Sequence, residues 1–317
     1  MDLQLLFLGT AGATPTVDRG LSAILLTRGG ERILIDCGEG TQRQLMKSEA
    51  GLSRINIILI THLHGDHYLG LPGLLKTLSL LGREEPLLLY GPLGLYEFLG
   101  DAERMMGRTK FPLLVEEADP GVVLEGCDYW LKATSTIHGV PGLAWCLEEK
   151  VRPGRFHPEK AIQLGVAAGP DFGRLQRGES VITATGQEVK PEQVMEERRM
   201  GRKIVISGDT RPADSVIQLA QGASVLVHES TFSWEEYDRA IETCHSTAHE
   251  AAEVAEKAKV DLLVLTHISS RHSPRELHNE AKTIFPHTIL PKDFDTLIVP
   301  YPEKGKAHLL SRPVNMG

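Results

Sequence analysis

The sequence predicts an α/β protein of the αββα sandwich class, with two sheets face to face and helices on their outer sides. Three observations carry that prediction. Strand-like apolar runs alternate with helical patterns along most of the chain. Five of those runs end at or near Asp36, His62, His138, Asp209 and His267, so residues far apart in sequence reach one edge of a sheet system. The core is aliphatic rather than aromatic, with Phe, Trp and Tyr only 5% of 317 residues, and the chain is long enough to bury a substantial one. A single domain over 1–317 is expected, with a protruding, flexible arm inserted at about 148–200.

Composition narrows the function classes. Charged residues make up 24%, and no apolar run approaches the ~20 residues that span a bilayer, so no membrane association is expected. The opening Met1 to Gly9 lacks a basic region and reads as a first strand rather than a signal peptide, which predicts a cytoplasmic protein. Cys37, Cys127, Cys146 and Cys244 form no CxxC pair and read as buried free thiols. The net charge of −8 counts against a nucleic-acid partner. Local basic patches and bound divalent cations outweigh that sum where a phosphate sits.

In chain order, the strand reaching Phe7-Leu8-Gly9 breaks into a Gly/Pro loop through Pro15, followed by Arg19, Ser22 and a strand over Ala23 to Leu26. The loop admits two readings, a phosphate cradle or a turn between antiparallel strands; it lacks the GK[ST] of a P-loop. Arg32 to Ile35 is a strand ending in Asp36, a natural hydrogen-bond partner for the outer nitrogen of a ligating histidine. Ile55 to Ile60 then runs into Thr61-His62-Leu63-His64-Gly65-Asp66-His67, three imidazoles and a carboxylate within six positions. Imidazole nitrogen and carboxylate oxygen suit divalent zinc, and an open position on such a site generates hydroxide near neutral pH. His62 and His64 project to one side, and a tight bend at Gly65 turns Asp66 and His67 to a neighbouring point, which leaves room for two metals.

Gly70 to Leu78 reads as a turn entering an apolar helix, Leu87 to Pro92 as a strand and its turn, and Phe111 to Leu131 as strand-rich. His138 stands at the next strand end. Between about Glu148 and Met200 the composition shifts: Gly169 to Gly178 is glycine-rich and unsuited to a core, and Glu148 to Ser180 holds six Lys/Arg against five Asp/Glu. The strand Lys203 to Ile206 ends in Gly208-Asp209, where one carboxylate can serve two metals. Another strand reaches His228-Glu229, and Ser246 or Thr247 caps a helix over Ala251 to Ala258, with a capping box. The strand Asp261 to Thr266 delivers His267; Arg271 behind it reads as a phosphate contact or a structural ion pair. His228 and His249 read as structural.

The HxHxDH run is the signature of the metallo-β-lactamase superfamily, whose members hydrolyse lactams, thioesters, phosphodiesters and RNA. FLGT-G-PT, IDCGEGTQRQL and HLHGDH together resemble ribonuclease Z, the tRNA 3′-processing branch, with Ala11 and Gly20 departing from its commoner Gly and Asn. His138-Gly139-Val140-Pro141 is similar to the context of that family's third histidine ligand, and Glu229 and His245 lie in segments similar to its HEAT and HST motifs, with Ser230 in place of Ala. The GPxxGxLxxG pattern resembles the family's tRNA-gripping arm and marks Gly169, Pro170, Gly173, Arg174 and Arg177, with Arg271 beside the site, as RNA-binding candidates.

The resemblance implies two Zn²⁺ per subunit, replaceable by Mn²⁺, one held by His62, His64 and His138 and the other by Asp66, His67 and His267, with Asp209 bridging. It implies a homodimer that removes 3′ trailers from precursor tRNA by metal-hydroxide attack, leaving a tRNA 3′-hydroxyl and a trailer 5′-phosphate. Asp66, His245 and Glu229 are the implied catalytic residues. A carboxylate beside an imidazole raises its pKa and keeps it an acid near neutrality, which suits Glu229 and His245 independently. The alternative is a metal-dependent phosphodiesterase of small substrates. A non-catalytic RNA-binding scaffold is disfavoured because every expected ligand is present, and a β-lactamase proper because no leader precedes the first strand.

Overall fold

The computed structural model describes residues 2–52 and 54–311; Met1, where the predicted first strand opens, lies outside them. Among these residues the chain divides into two compact units, one of 1–148 with 202–317 and one of Glu149–Gly201. The larger unit holds two sheets. One has eight strands: β1 (Leu3–Gly9), β2 (Ala23–Arg28), β3 (Glu31–Ile35), β4 (Ile57–Leu59), β5 (Leu87–Gly91), β6 (Leu113–Glu117), and, near the carboxyl end, β16 (Thr296–Ile298) and β17 (His308–Leu310), ordered β17-β16-β1-β2-β3-β4-β5-β6. The other is built from β7 (Gly121–Glu125), β8 (Tyr129–Ser135), β9 (Leu143–Glu149), β12 (Lys203–Ile206), β13 (Val225–Glu229), β14 (Leu263–Thr266) and β15 (Thr288–Ile289), ordered β15-β14-β13-β12-β9-β8-β7.

Strand alternation sends residues to two cores. In β13, Val225 and Val227 enter the apolar layer between the sheets, while Leu226 faces the helical layer outside. That outer layer consists of α8 (Asp214–Ala220), α10 (Ala248–Ala258) and α11 (Pro274–Ile284). On the other sheet α1 (Thr41–Lys47), α2 (Gly65–Tyr68), α3 (Leu71–Leu80) and α4 (Leu95–Met106) accompany a third core, into which Leu45, Leu74, Leu78 and Leu99 project. The result is the expected αββα sandwich. Strands β3 to β6 are mutually parallel, as are β12 to β15. The loops at their carboxyl ends therefore open on one rim, where open α/β sheets bind ligands.

The short helix α9 (Tyr237–Glu242) completes this unit. Helix α10 starts at Ala248, three residues before the expected boundary, because the Thr247 hydroxyl accepts from the Glu250 amide while the Glu250 side chain returns to the Thr247 amide. The cysteines are free, but only Cys37 and Cys146 are buried; Cys127 is exposed and Cys244 half-buried.

The smaller unit corrects the expectation of a stretch with little to pack. It contains α5 (Pro158–Gln163), α6 (Pro170–Gln176), the hairpin of β10 (Val181–Ile182) with β11 (Glu188–Val189), and α7 (Pro191–Val194). Ala161, Val166, Leu175, Val181, Val189 and Val194 form its own buried cluster, and Phe156 and Phe172 pack on it with ring centroids 5.0 Å apart. The Gly-Pro pair begins a helix rather than a loose tip, since proline suits the first helical position.

Candidate metal centre

The candidate ligands lie on the segments that follow strand ends. The chain leaves β4 at Leu59, and His64 becomes the N-cap of α2, so Asp66 and His67 lie in that helix's first turn. Gly65 is the first residue of this helix and has no positive φ, so the tight glycine bend expected there is absent. Asp209 follows β12 through Gly208, at φ +62, where a Cβ would come within 2.7 Å of Thr61. His267 follows β14. Backbone strain gathers here: of the six described non-glycine residues with positive φ, Asp36 and His267 are candidate site residues, Ala13 donates its amide to Asp66, and Cys244 precedes His245.

Two clusters form. His62 Nε2 lies 3.1 Å from His64 Nδ1, which lies 3.0 Å from His138 Nε2. On the other side His267 Nε2 and His67 Nε2 are 3.2 and 3.5 Å from Asp66 Oδ2. Asp209 Oδ2 stands between them, 3.6, 3.4 and 3.3 Å from Nε2 of His62, His67 and His267. The structure thus brings all seven sequence-predicted ligands together.

Outer partners decide which nitrogens face inward. Asp36 Oδ2 accepts from His67 Nδ1 at 2.7 Å, and the Cys244 carbonyl accepts from His138 Nδ1 at 2.8 Å. The Thr61 hydroxyl donates to Asp36, so its oxygen is left to accept from His62 Nδ1. Thr231 likewise donates to Glu229 Oε2 at 2.5 Å and accepts from His267 Nδ1 at 2.8 Å. Four imidazoles therefore carry the proton on Nδ1 and aim a bare Nε2 lone pair inward, the arrangement that metal-binding histidines adopt. His67 Nε2 and Asp209 Oδ1 are buried without a hydrogen-bond partner, which costs free energy unless something pairs with them. Ligand atoms of a tetrahedral zinc are separated by roughly 3.3 Å, close to the spacings here, so the residues fit a divalent cation.

Charge is distributed to match. Burial, reinforced by His67, holds His62 well below the ordinary imidazole range, and burial with His138 lowers His64. Burial also opposes charge on His67, but Asp209 and Asp36 outweigh it and raise that pKa, so a cation must displace the Nε2 proton of His67 to use its lone pair. For Asp209 burial works upward and is overcome by His267, His67 and His62, so the carboxylate stays ionised. His245 lies beside the clusters with Nδ1 3.0 Å from Glu229 Oε1; burial lowers its pKa, but Glu229 raises it further, to about 9.

The roles of several contributing residues carry no signal in the sequence. Thr61 directly precedes the HxHxDH run and Thr231 is the threonine of the HEAT-like segment, but neither position announces that it fixes a histidine. Arg211 ties the region together, donating to the His245 carbonyl and both Glu250 oxygens. Only spatial neighbours reveal these roles, since hydroxyls and an arginine in strand-end loops are common. The loop after β1 serves the site too: a Cβ on Gly12 would lie 2.6 Å from His267 Nδ1. Of the RNA-binding candidates, Arg271 is ion-paired to Glu236 at 2.6 Å, and Arg174 and Arg177 to Glu179 at 3.1 and 3.4 Å; Gly169, Pro170 and Gly173 lie at or within the start of α6.

Comparison with known proteins sharpens the assignment. The family model for anti-Pycsar protein Apyc1 matches residues 3–99, the part that carries HLHGDH. Ribonuclease Z of Methanosarcina mazei is 44% identical over 303 residues, covering 94% of this chain and 99% of that protein. Ribonuclease Z of Gemmatimonas aurantiaca is 47% identical over 298 residues, 92% and 95% of the two chains. Among solved structures, the short form of human tRNase Z aligns at TM-score 0.68 and 30% identity over 94% of this chain and 99% of its own. The metallo-β-lactamase fold protein YhfI from Bacillus subtilis, 19% identical with TM-score 0.68 over 94% and 100% of the two chains, shares the fold. With identity this high along nearly the whole length, the chain belongs to the ribonuclease Z family of endoribonucleases.

Proposed function

We propose that this enzyme removes 3′ trailers from precursor tRNA in the cytoplasm, leaving a tRNA 3′-hydroxyl and a trailer 5′-phosphate. The observation that carries the reading is the set of four outward-bonded histidines with His64, Asp66 and Asp209 around two adjoining points. His62, His64 and His138 would hold one Zn²⁺ and Asp66, His67 and His267 the other, with Asp209 shared; Mn²⁺ suits the same donors. Bound cations supply Lewis acidity and lower the pKa of water towards neutrality.

The protein's own groups do the rest. Asp66, fixed by the Ala13 amide at 2.8 Å and by His267, orients the reacting water. Glu229 holds the proton on His245 Nδ1, so His245 Nε2–H is presented to the departing 3′-oxygen. Residues 148–200 act as an inserted RNA-binding arm of a single 1–317 domain. A homodimer is the assembly this family resemblance implies; the exposed Met105 and Leu114, with a cavity of about 600 Å³ whose lining includes Met106, Leu113 and Leu114, support it as apolar surface for a second subunit. No helix among the described residues is long and apolar enough to cross a membrane.

The test is single-turnover cleavage of a precursor tRNA by zinc- or manganese-loaded wild type and His64→Ala, with both product ends mapped. Cleavage beside the discriminator or after CCA, dependent on His64, is expected. A folded, metal-loaded enzyme that leaves the precursor intact but hydrolyses a chromogenic phosphodiester would make it a small-substrate phosphodiesterase instead.

A further inference from the structure

The chain that leaves the site at Glu229 and Thr231 runs outward through Phe232 to Trp234, which opens a 3₁₀ turn of Trp234–Glu236. Of the three tryptophans in the sequence, Trp145 is buried in β9 and Trp130 is half-buried in β8; Trp234 is 47% exposed. Its exposure leaves indole surface open to solvent. The residue is held in place from several sides. Glu280 accepts from the Trp234 amide at 3.0 Å through one oxygen and from the His249 amide at 2.8 Å through the other, so a single carboxylate ties the turn to the first turn of α10. The indole packs against the His249 ring at 4.3 Å and 33° and against Tyr237 at 4.8 Å and 41°. That helix begins three residues after His245, and the Phe232 ring is 6.0 Å from the His245 ring.

We propose that Trp234 is a stacking platform for an unpaired nucleobase of the RNA strand beside the scissile phosphate. The proposal rests on the RNA-cleaving reading above. A strand entering a metal site must be single-stranded there, and unpaired bases are recognised by stacking on pre-ordered aromatic rings. Charge does not make this site. Glu235, Glu236 and Asp238 offset Arg239 and Arg271 around it, and Glu236 already binds Arg271 and His272. The contribution of Trp234 therefore comes from its ring and is insensitive to salt, unlike phosphate contacts, whose loss lowers the salt slope.

The experiment pairs cleavage with fluorescence. Precursor tRNAs carrying one abasic nucleotide at successive unpaired positions around the cleavage site are cleaved by zinc-loaded wild type, Trp234→Ala and Trp234→Phe. Trp234→Ala is expected to raise KM for intact precursor about tenfold, within the range of one lost base stack. Trp234→Phe should recover most of it. One abasic position should penalise wild type and leave Trp234→Ala indifferent, while hydrolysis of a chromogenic phosphodiester stays level in all three proteins. In parallel, a single-stranded oligoribonucleotide should quench wild-type tryptophan fluorescence, with the response lost in Trp234→Phe. Equal KM values in wild type and Trp234→Ala overturn the platform while the nuclease reading stands. Quenching that depends on Trp234 in an enzyme that cleaves no precursor keeps the platform and overturns the nuclease reading; neither signal overturns both.

Discussion

The site-bearing unit and the inserted unit solve the problem of holding polar groups in opposite ways. In the first, the groups that orient the candidate ligands are buried and tightly bonded: His67 is 1% exposed with its Nδ1 held by Asp36, and Glu229 accepts from Thr210, Thr231 and His245. In the second, the charged groups are exposed and paired with each other, as Arg174 is with Asp171 and Glu179, over a small apolar cluster. Buried, satisfied networks fix geometry; exposed pairs leave side chains free to exchange partners. Chemistry needs the former, and recognition of a phosphate backbone can use the latter.

The sharpest way to break this contrast is to remove its central charge. Asp209→Ala leaves three imidazole lone pairs converging without their shared carboxylate. Cleavage should fall by about 10³-fold or more, beyond the effect of losing a single oxyanion-hole donor, and bound metal measured by elemental analysis should fall with it. If the inserted unit holds the RNA, binding at equilibrium should change little. Parallel loss of RNA affinity would mean that the site, not the inserted unit, holds the RNA.

The converse deletion is nearly as severe for RNA and nearly silent for chemistry. Glu149 and Gly201 are adjacent, with a Cβ on Gly201 only 2.5 Å from that of Glu149, so a short glycine linker can replace 150–200. Precursor cleavage should drop by about 10²-fold in kcat/KM or more, as expected when remote binding energy is lost. Chromogenic phosphodiester hydrolysis should persist. Equal loss of both activities would show the inserted unit to be part of the catalytic fold.

How far the sequence foretells the structure follows the same division. The strand ends are legible because alternation and length mark strands, and a site residue at a strand end leaves a polar residue after an apolar run, as at Asp36, His62 and His267. The histidine protonation pattern is not legible. It depends on Thr61 and Thr231, whose value arises only when strands β3 with β4, and β13 with β14, lie side by side. The inserted unit reads as coreless because Ala161, Val166 and Leu175 are scattered among glycines and charges; they become a core only once α5, α6 and the hairpin meet. Gly65 misleads for a related reason: a glycine in a loop suggests a bend, whereas here it opens a helix.

A smaller effect separates orienting groups from ligands. Asp36 accepts from Thr61 and His67 and lies in the left-handed region, a conformation asparagine also tolerates. Asp36→Asn should preserve the fold but weaken the grip on His67, reducing metal affinity or activity by about 10- to 100-fold, the usual cost of losing such a partner. Competition with a fluorescent chelator would measure it. In the inserted unit, Leu175→Ala removes a fully buried side chain and should cost about 2–4 kcal/mol locally. Amide exchange should then accelerate within 149–201 and remain slow in β12 and β13; acceleration throughout would show one cooperative fold instead of two.

The smallest expected change runs in the favourable direction. Glu179 binds Arg174 and Arg177 together, so its carboxylate competes with any RNA phosphate for both guanidinium groups. Glu179→Gln keeps the shape and removes that competition. If the inserted unit grips the RNA backbone through these arginines, affinity for precursor tRNA should rise a few-fold at low salt, and the dependence of log K on log salt should steepen by up to about one unit for each phosphate newly neutralised. Chromogenic turnover should not move, because nothing in the metal centre has changed. An unchanged salt slope would place Arg174 and Arg177 outside the RNA interface and leave recognition to the remaining cations between Lys150 and Arg199.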